Sequence, residues 1–462
     1  MPENTASLAE QLKAYLQQHQ ETIIAQLMEL VRIPSISARK EHASDCRRVL
    51  DKMAELVGGY GFTPEIFETP GNPVLVATLE TDAARPWLLI YNHMDVQPAA
   101  EPQWLTAPFE PVLKDGRIYG RGSTDDKGPA LTALHAVHCL HAAGLSLPNI
   151  QLIYETEEEI GSTHFGWFLD QHRERIQSPA SILVSDTIFE GDHPALSYRL
   201  RGLLRAEAEL VTGTQDLHSG MVGGAAVNPL NLLIRALAQC VDGEGRITIP
   251  GVSEELPPVS AAESQELEKT VAIFDRAKLI EDTGGAKLYS DEARDLLERI
   301  WLQPTFEVHG FEGVQTEVGV IKTALPYAVK AKLTMRLVAG QDPIRVAQQL
   351  EAHLKSVHPD IHLTVKSGVK GCFSEVDNAF ILEAVAACEA GFGQAPVFVG
   401  SGGTIGALPE FQRIYPDAPL VLIAQSLMSD GYHAPNENFR LSQIQAGFTT
   451  MGHYLSRIAS LR

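Results

Sequence analysis

Short apolar segments that alternate with helical patterns constrain the fold of this chain most strongly. In the N-terminal part, a helix is predicted at 129–144, and buried strands are predicted at 73–78, 87–91, 149–154 and 181–185. Such alternation is typical of a mixed, mostly parallel sheet with helices on both faces. The same character returns towards the C-terminus, with a helix at 380–390 and a strand at 420–423. The sequence therefore predicts an α/β fold.

The middle of the chain has a different pattern. Residues 198–211 alternate charged and apolar side chains, as one antiparallel strand with a solvated face would. Half-exposed strands are also predicted at 327–338 and 360–366, around a helix at 343–357. These elements indicate a smaller α+β domain inserted into the larger one. The predicted limits are 1–196 and 374–462 for the two parts of the larger domain and 197–373 for the inserted domain.

A polar segment rich in Glu and Pro runs from 243 to about 301 within this insertion. Its acidic part, residues 253–268, is interpreted as a solvated face because runs of charge usually lie in water.

Length and charge narrow the class of protein further. A chain of 462 residues exceeds the size at which one hydrophobic core keeps growing, so two domains are expected. The net charge of −21 argues against nucleic acid and anionic membrane surfaces as partners, because both attract clustered Lys and Arg. Residues 1–30 resemble an amphipathic helix and not a secretory signal. Five scattered cysteines suit a reducing compartment, so a cytoplasmic location is expected.

Metal-ligand residues follow three of the predicted strands. His93 and Asp95 come after the strand at 87–91, a run of glutamates that includes Glu158 and Glu159 follows the strand at 149–154, and Asp186 follows the strand at 181–185. Ligands of open α/β sheets bind beyond the carboxyl ends of the strands. Adjacent glutamates repel each other unless a cation compensates their charge. A solvated acidic loop explains one such run in isolation, but three strand ends together favour a metal site.

A second feature is the glycine-rich segment 119–128, which carries Asp125 and Asp126 just before the helix at 129–144. Helix capping accounts for one of these aspartates but not for both together with the glycines. The chain contains no GxxxxGK[ST] motif, so this segment is not a phosphate-binding loop. By contrast, the histidines of the helix have no nearby carboxylate in sequence and are interpreted as core or surface residues: His135, His138 and His141.

Five motifs together resemble the di-zinc peptidase and deacylase family, which includes carnosine-type dipeptidases, glutamate carboxypeptidase and aminoacylases. The resemblance spans nearly the whole chain. The motifs are His93-Met-Asp95-Val-Gln-Pro98, Gly120-Arg-Gly-Ser-Thr-Asp125-Asp-Lys-Gly128, Glu158-Glu-Ile-Gly-Ser162, Asp216-Leu-His218-Ser-Gly220 and Gly431-Tyr-His433-Ala-Pro-Asn-Glu437.

The resemblance implies a dinuclear site. His93 and Asp186 would bind one divalent ion, Glu159 and His433 the other, and Asp125 would bridge them. The ions implied are zinc, with manganese or cobalt as alternatives. Asp95 would orient His93. Glu158 would be the general base that activates the bridging water, and the Asp125–Asp126 peptide would be cis.

The resemblance also implies that the larger domain is catalytic and that the inserted domain is a lid or dimerisation domain, with a substrate site and a homodimer. His218, in the inserted domain, would reach the active site of the partner subunit. Arg336 would bind the substrate carboxylate, for which a bidentate guanidinium is better suited than Lys. Thr323 and the turn Gly402-Gly403-Thr404 would add polar contacts. This turn departs from the family pattern, because Thr404-Ile-Gly406 stands where Ser-Ile-Pro is common.

Three functions remain open at this point. A metal-dependent dipeptidase that acts on small peptides is favoured, because Asp at position 186 resembles the dipeptidase branch, whereas Glu goes with carboxypeptidases and deacylases. An N-acyl amino acid deacylase would use the same metals. A non-catalytic binding protein would have no need of both the complete ligand set and Glu158.

Overall fold

The computed structural model describes residues 7–254 and 256–461. Within them, the α-helices are α1 (Leu8–Val31), α2 (Ala43–Gly59), α3 (Lys127–Ala142), α4 (Phe165–Gln171), α5 (Ser219–Val222), α6 (Pro229–Ala238), α7 (Ala261–Ile273), α8 (Arg276–Asp282), α9 (Ala293–Trp301), α10 (Pro343–Val357), α11 (Ala379–Phe392), α12 (Ala407–Ile414) and α13 (Leu441–Ile458). Short 3-10 helices occur at Lys40–His42, Glu158–Ile160, Arg173–Arg175 and Met428–Asp430.

The strands are β1 (Thr63–Phe67), β2 (Val74–Leu79), β3 (Trp87–His93), β4 (Val112–Lys114), β5 (Arg117–Tyr119), β6 (Asn149–Glu155), β7 (Ser181–Val184), β8 (Ala195–Leu200), β9 (Gly202–Val211), β10 (Leu217–His218), β11 (Thr305–Glu312), β12 (Ala324–Leu325), β13 (Ala328–Leu337), β14 (His362–Val369), β15 (Cys372–Phe373), β16 (Val397–Ser401), β17 (Leu420–Ile423) and β18 (Asn438–Arg440). The helix predicted at 1–30 corresponds to α1, and its first six residues lie outside the described part of the chain.

A nine-stranded mixed sheet organises the N-terminal and C-terminal parts of the chain. Its order is β1-β2-β6-β3-β7-β17-β8-β15, and β16 also pairs with β8. The central strands β6, β3, β7 and β17 run parallel. Alternate residues of β3 enter different cores: Leu88 and Ile90 pack with α1, α3 and α13, whereas Leu89 and Tyr91 pack with α4 and α12. The predicted α/β class, with helices on both faces of a mixed sheet, is confirmed.

A separate four-stranded antiparallel sheet, ordered β11-β13-β9-β14, forms the middle of the chain. The even-numbered residues of β9, from Leu204 to Leu210, pack against α6 and α10. Its odd-numbered residues are partly or fully exposed, as predicted for a strand with one solvated face. The inserted α+β sheet is therefore present. The domain limits remain a prediction, and the change of sheet falls between β8 and β9 and again between β14 and β15.

The single strand predicted at 198–211 is wrong, because the structure divides it into β8 and β9, which belong to different sheets. The division occurs at Gly202, where the chain passes close to a neighbouring backbone. A Cβ atom on Gly202 would lie 2.4 Å from the carbonyl oxygen of Val369. Glycine is required at so close an approach. The alternation of charged and apolar side chains continues across Gly202, so the sequence pattern gives no sign of the division.

The solvated face predicted at 253–268 is wrong at Glu263 and Leu267, which are buried, whereas the other described residues of this segment are partly or fully exposed. Helix α7 begins with a capping box, in which the Ser260 side chain accepts from the backbone of Glu263 and the Glu263 side chain accepts from the backbone of Ser260. The carboxylate of Glu263 is buried and accepts a hydrogen bond of 3.0 Å from Arg199 Nη2. Leu267 and Thr270 are buried as well. A buried partner on β8 therefore holds the acidic segment against the large sheet.

None of the helices in the described ranges has the length and hydropathy needed to cross a membrane.

Candidate metal centre

The predicted ligands lie together at the carboxyl edge of the large sheet. Strands β3 and β6 are parallel, and His93 pairs in register with Glu155, so the segments that follow both strands leave the sheet side by side. Strand β7 pairs with β3 on the other side and leads into Asp186. The parallel register therefore brings the three predicted strand ends to one place.

One group of possible metal ligands consists of His93, Asp125 and Asp186. The Nε2 atom of His93 lies 2.9 Å from Asp125 Oδ1 and 3.7 Å from Asp186 Oδ2. His93 is fully buried, and the two carboxylates are almost fully buried. The phenol of Tyr432 donates a hydrogen bond of 3.3 Å to Asp186 Oδ1, the carboxylate oxygen that is not paired with His93.

A second group consists of Asp125, Glu159 and His433. The Nε2 atom of His433 lies 3.1 Å from Asp125 Oδ2 and 3.1 Å from Glu159 Oε2. Asp125 thus presents one carboxylate oxygen to each group. His433 is more than half exposed and marks the open side of the site. The five predicted ligands therefore form two groups that share Asp125.

The turn that carries Asp125 is held by Glu437, a fully buried residue. Glu437 Oε1 accepts hydrogen bonds of 3.0–3.1 Å from the backbone N–H groups of Gly122, Thr124 and Asp125. Its other oxygen accepts from Arg121 Nη1 at 2.7 Å. The peptide bond between Asp125 and Asp126 is cis, which confirms that implication of the resemblance.

Asp126 has a different environment from Asp125. Its Oδ2 atom accepts hydrogen bonds from the Asn92 side chain at 2.7 Å and from the backbone N–H of His93 at 3.3 Å. The Asp126 side chain makes no capping hydrogen bond to α3, although it stands at the N-cap position. Burial and the nearby charge of Asp186 raise its pKa well above the usual value. Asp126 therefore supports the end of β3 and is not part of either ligand group.

Asp95 connects the two glutamates to His93. Its carboxylate accepts hydrogen bonds from the backbone N–H of Glu158 at 3.2 Å and of Glu159 at 3.0 Å. Its Oδ1 atom lies 3.4 Å from His93 Nδ1, and its backbone oxygen is closer, at 3.1 Å. The residue therefore positions the segment of Glu158 and Glu159 through its side chain and the imidazole chiefly through its carbonyl group.

The glutamates at the end of β6 and directly after it differ in their contacts. Glu155 accepts a hydrogen bond of 2.7 Å from Tyr91, and Glu157 accepts from the backbone of Asn72 at 2.9 Å, so both are held within the protein. Glu159 belongs to the second ligand group. Glu158 has its pKa raised well above the usual value by burial and by the surrounding carboxylates, although the charge of His93 opposes this.

The charges of the site fit divalent cations. Burial raises the pKa of Asp186 to about 7 and also raises that of Glu159. Burial opposes ionisation of Asp125 as well, but hydrogen bonds from His433 and His93 lower its pKa overall. Hydrogen bonds with Asp125 and Glu159 raise the pKa of His433 to about 10. Carboxylates outnumber imidazoles in this buried space, so protons or cations must compensate them. Carboxylate oxygens and imidazole nitrogens are ligands of zinc, manganese and cobalt.

Three supporting residues were not predicted from the sequence. Gln97 Nε2 donates a hydrogen bond of 2.7 Å to Glu159 Oε2. Tyr432 contacts Asp186, and Glu437 holds the turn of Asp125. Each of the three belongs to one of the five motifs, so position within a motif was the available signal. Residue type alone did not distinguish them from ordinary polar loop residues.

The predicted substrate residues fall into two other places. His218 and Thr323 are exposed and close together, because His218 of β10 pairs with Ala324 of β12 and Thr323 directly precedes that strand. The Thr323 carbonyl accepts hydrogen bonds from the backbone and side chain of Ser219 at 3.0 and 2.9 Å. Neither residue belongs to the two ligand groups of this chain.

Arg336 and the turn at 401–406 form the other place. Arg336 Nη1 donates a hydrogen bond of 3.1 Å to Thr404 Oγ1. Gly402 and Gly403 lie in the same turn, and Ser401 Oγ accepts from the backbone of Gly403 at 3.0 Å. Gly406 packs on the turn that follows Glu159, where an added Cβ would lie 2.6 Å from the Gly161 carbonyl oxygen. That close packing connects the Thr404 turn to the metal centre.

The fold and the arrangement of the ligands define a class of protein, and similarity to known proteins identifies it. The profile of peptidase family M20/M25/M40 matches residues 89–457. The chain belongs to this family. It is a metallopeptidase, and the two groups that share Asp125 are its candidate sites for divalent metal ions.

Individual relatives are similar over nearly the whole chain. Beta-Ala-His dipeptidase of Homo sapiens is 31% identical, with 94% of this chain and 90% of the relative covered. Cys-Gly metallodipeptidase DUG1 of Saccharomyces cerevisiae is 28% identical, with 93% and 94% covered. The crystal structure of human carnosine dipeptidase 1 superposes with a TM-score of 0.81 at 28% identity, with 99% and 100% covered. The metallo-carboxypeptidase Sso-CP2 of Sulfolobus solfataricus superposes with a TM-score of 0.85 at 28% identity, with 95% and 99% covered.

Proposed function

We propose that this protein is a metal-dependent dipeptidase with a dinuclear centre. The observation that carries the proposal is the pair of ligand groups that share Asp125, with one carboxylate oxygen directed at each group. The names of the relatives from Homo sapiens and Saccharomyces cerevisiae support dipeptides as substrates. Asp at position 186 also favours this reaction over an N-acyl amino acid deacylase.

We propose zinc as the metal, held by His93 and Asp186 in one position, by Glu159 and His433 in the other, and by Asp125 between them. Divalent ions held there would lower the pKa of a bound water and polarise the scissile carbonyl group. Glu158 accepts the proton from the attacking water and returns it to the leaving amine. Its raised pKa supports a carboxyl group that exchanges a proton during turnover.

The remaining site residues would hold the substrate. Arg336 would bind the carboxylate of the peptide, with Thr404 and the backbone of Gly402 and Gly403 beside it. His218 and Thr323 would act together, because they lie close together where β10 pairs with β12. They would contribute to the active site of a partner subunit in a homodimer formed through the inserted domain.

A reducing, cytoplasmic location is part of the same proposal. The five cysteines are free and buried, which suits thiols that remain reduced.

The test combines metal removal with substrates that differ only at the amine. The protein is treated with a chelator and then reconstituted with zinc, manganese or cobalt. Beta-Ala-His and Cys-Gly are compared with their N-acetylated forms. We expect about two ions per chain, activity that chelation abolishes and metal restores, and a preference of at least about tenfold for the free amine. Circular dichroism of the chelated protein controls for unfolding. A preference for the acetylated forms would establish a deacylase instead.

A further inference from the structure

Arg201 stands at the junction of β8 and β9 and is not fully paired. Its Nε and Nη1 atoms are buried and have no hydrogen-bond partner among the described residues. Buried guanidinium groups are normally paired, because a buried charge without an acceptor is costly. The guanidinium of Arg201 therefore has hydrogen-bond donors that the protein itself does not use.

Arg336 lies beside Arg201, and Thr404 connects them. The Thr404 hydroxyl donates a short hydrogen bond to the Arg201 carbonyl oxygen and accepts one of 3.1 Å from Arg336 Nη1. Burial and the positive charge of Arg336 lower the pKa of Arg201 to about 10. Thr404 thus joins the Arg336 guanidinium to the backbone of Arg201, and the two positive charges are close enough to repel each other.

The surrounding charges do not neutralise this pair. Arg205 of β9 lies on the same face of the four-stranded sheet as Arg336, and its positive charge acts on Arg336. The carboxylate of Glu307 attracts Arg201, but less strongly than Arg336 repels it. A local excess of positive charge stands out in a chain whose net charge is −21. The site therefore selects an anion.

The cluster also lies next to the metal centre. The Arg201 backbone N–H donates a hydrogen bond of 3.1 Å to the Ser401 carbonyl oxygen, and a Cβ on Gly402 would lie 3.0 Å from Arg201 Nη2. The same turn continues to Gly406, which packs on Gly161 directly after the helix of Glu158 and Glu159. An anion held between the two arginines would thus belong to a molecule that reaches the scissile site.

We propose that Arg201 is a second guanidinium of the subsite for the substrate's C-terminal carboxylate, beside Arg336, and that it makes the enzyme select peptides with a free C-terminus. This inference rests on the proposed function and names a residue that the motifs did not single out. A carboxylate has two oxygens and can accept hydrogen bonds from two guanidinium groups at once. The planar fork of Arg suits this arrangement, whereas Lys offers only a point charge.

The experiment compares Arg201→Gln and Arg201→Lys with wild-type holoenzyme. Arg235→Gln is the matched control, because it removes an equal charge from an exposed position on α6, which packs on the face of the four-stranded sheet opposite to Arg336. Each enzyme is assayed on Ala-Gly and on its C-terminal amide, and on N-acetyl-alanine and its amide. Metal content and thermal unfolding are measured for every variant.

We expect both Arg201 variants to raise KM for Ala-Gly about 10- to 100-fold while kcat changes less than about threefold. KM for the amide should change less than about threefold, so that the preference for a free carboxylate falls. Arg235→Gln should keep the wild-type preference. Equal losses on acid and amide, or an Arg235→Gln variant that behaves like Arg201→Gln, would overturn the role of Arg201.

Failure of the proposed function gives a different result. Wild-type enzyme that cleaves N-acetyl-alanine but not Ala-Gly would refute the dipeptidase, and the acid–amide comparison on the acetylated pair would still decide the role of Arg201. If Arg201→Gln does not fold, Arg201→Lys keeps the charge and the side-chain stem and carries the same comparison. Cleavage of neither pair by wild-type enzyme would refute both proposals.

Discussion

Glu157 and Glu158 are consecutive residues with different surroundings. The Glu157 carboxylate accepts a hydrogen bond from the backbone of Asn72 and lies 2.8 Å from His164 Nδ1, so the protein already satisfies it. Glu158 is surrounded by Asp95, Glu159 and Asp186, and burial together with these charges raises its pKa. A run of glutamates in a sequence conceals this difference, because the direction of each side chain depends on the turn that follows β6.

Glu158→Gln should retain its metal and lose turnover. An amide cannot accept the proton of the attacking water, so kcat should fall by about 10²- to 10⁴-fold. The matched control is Glu157→Gln, the same change one residue earlier, which should keep kcat within about threefold of wild type. Steady-state kinetics and metal analysis decide the matter. Near-normal turnover in Glu158→Gln would remove this residue from the role of base.

Asp95→Asn should weaken metal binding. Both carboxylate oxygens of Asp95 accept backbone N–H groups, from Glu158 and Glu159. An asparagine has one acceptor oxygen, and its NH₂ group would face one of these N–H donors. We expect metal affinity to fall by about 10- to 100-fold, as for other residues that orient metal ligands. Competition with a chelator measures the affinity. Asp51→Asn, an exposed change on α2 beside Arg47, should leave it unaltered.

Among the elements, α1 and α3 share an interface that contains histidine. His135 of α3 is fully buried, with Nδ1 2.9 Å from the Tyr15 hydroxyl and Nε2 2.8 Å from Gln26 Oε1 of α1. A neutral imidazole satisfies both contacts with one donor and one acceptor nitrogen. The interpretation of this histidine as a core residue is confirmed. Within the described residues, clusters of three or more potential metal ligands occur only at the edge of the large sheet.

This interface should make the free energy of unfolding depend on pH in the acidic range. Burial, with the nearby charges of His138 and His19, lowers the pKa of His135 to about 3 in the folded state. In the unfolded chain, His135 has a pKa of about 6.5, so below that pH the unfolded chain binds a proton that the folded chain does not bind. The contribution of neutral His135 to the free energy of unfolding is complete above about pH 6.5. It is lost as the pH falls towards about 3, by about 1.4 kcal/mol per pH unit.

His135→Gln should therefore flatten the loss of stability between about pH 6.5 and 5. Urea unfolding of chelator-treated protein measures the free energy of unfolding without a contribution from metal binding. His141→Gln, an exposed change on the same helix, is the control and should keep the wild-type slope. A His135→Gln slope equal to that of wild type would assign the acid sensitivity to other groups.

Across the molecule as a whole, the two sheets carry different parts of the proposed site. The large sheet carries both ligand groups, and the inserted domain carries His218 and Thr323 on an exposed ribbon. Residues that serve an active site are rarely left exposed on a separate sheet unless another surface covers them. The proposed homodimer would supply that surface. In a dimer with twofold symmetry, each contact from one chain to its partner is repeated from the partner to that chain, so each His218 would reach the active site of the other subunit.

Mixed dimers provide the test of this arrangement. His218→Ala and Glu158→Gln should each be nearly inactive alone. In a random mixture, about half of the dimers combine both chains, and one of their two sites has an intact Glu158 and an intact partner His218. Activity should then recover to about one quarter of wild type. Sedimentation establishes that each variant remains dimeric. No recovery on mixing, with dimers present, would place the action of His218 within its own chain.

Local sequence information was enough to predict the class of fold and the chemistry of the ligands. Apolar segments show where strands and helices form, because burial of those segments depends on local periodicity. His93, Glu159 and Asp186 could be selected because they follow such strands. Asp125 and His433 required the additional resemblance of whole motifs, since neither is next to the others in the chain.

How these residues meet follows only from the tertiary structure. The parallel register of β3, β6 and β7 brings the strand ends together, and the turn held by Glu437 directs the two oxygens of Asp125 to different groups. The approach of Arg201 to Arg336 and the burial of Glu263 could not be predicted from the sequence either, because both depend on contacts between segments that are distant in the chain. Periodicity reports which side of an element is buried, whereas the partner across a packed interface depends on how the whole chain folds.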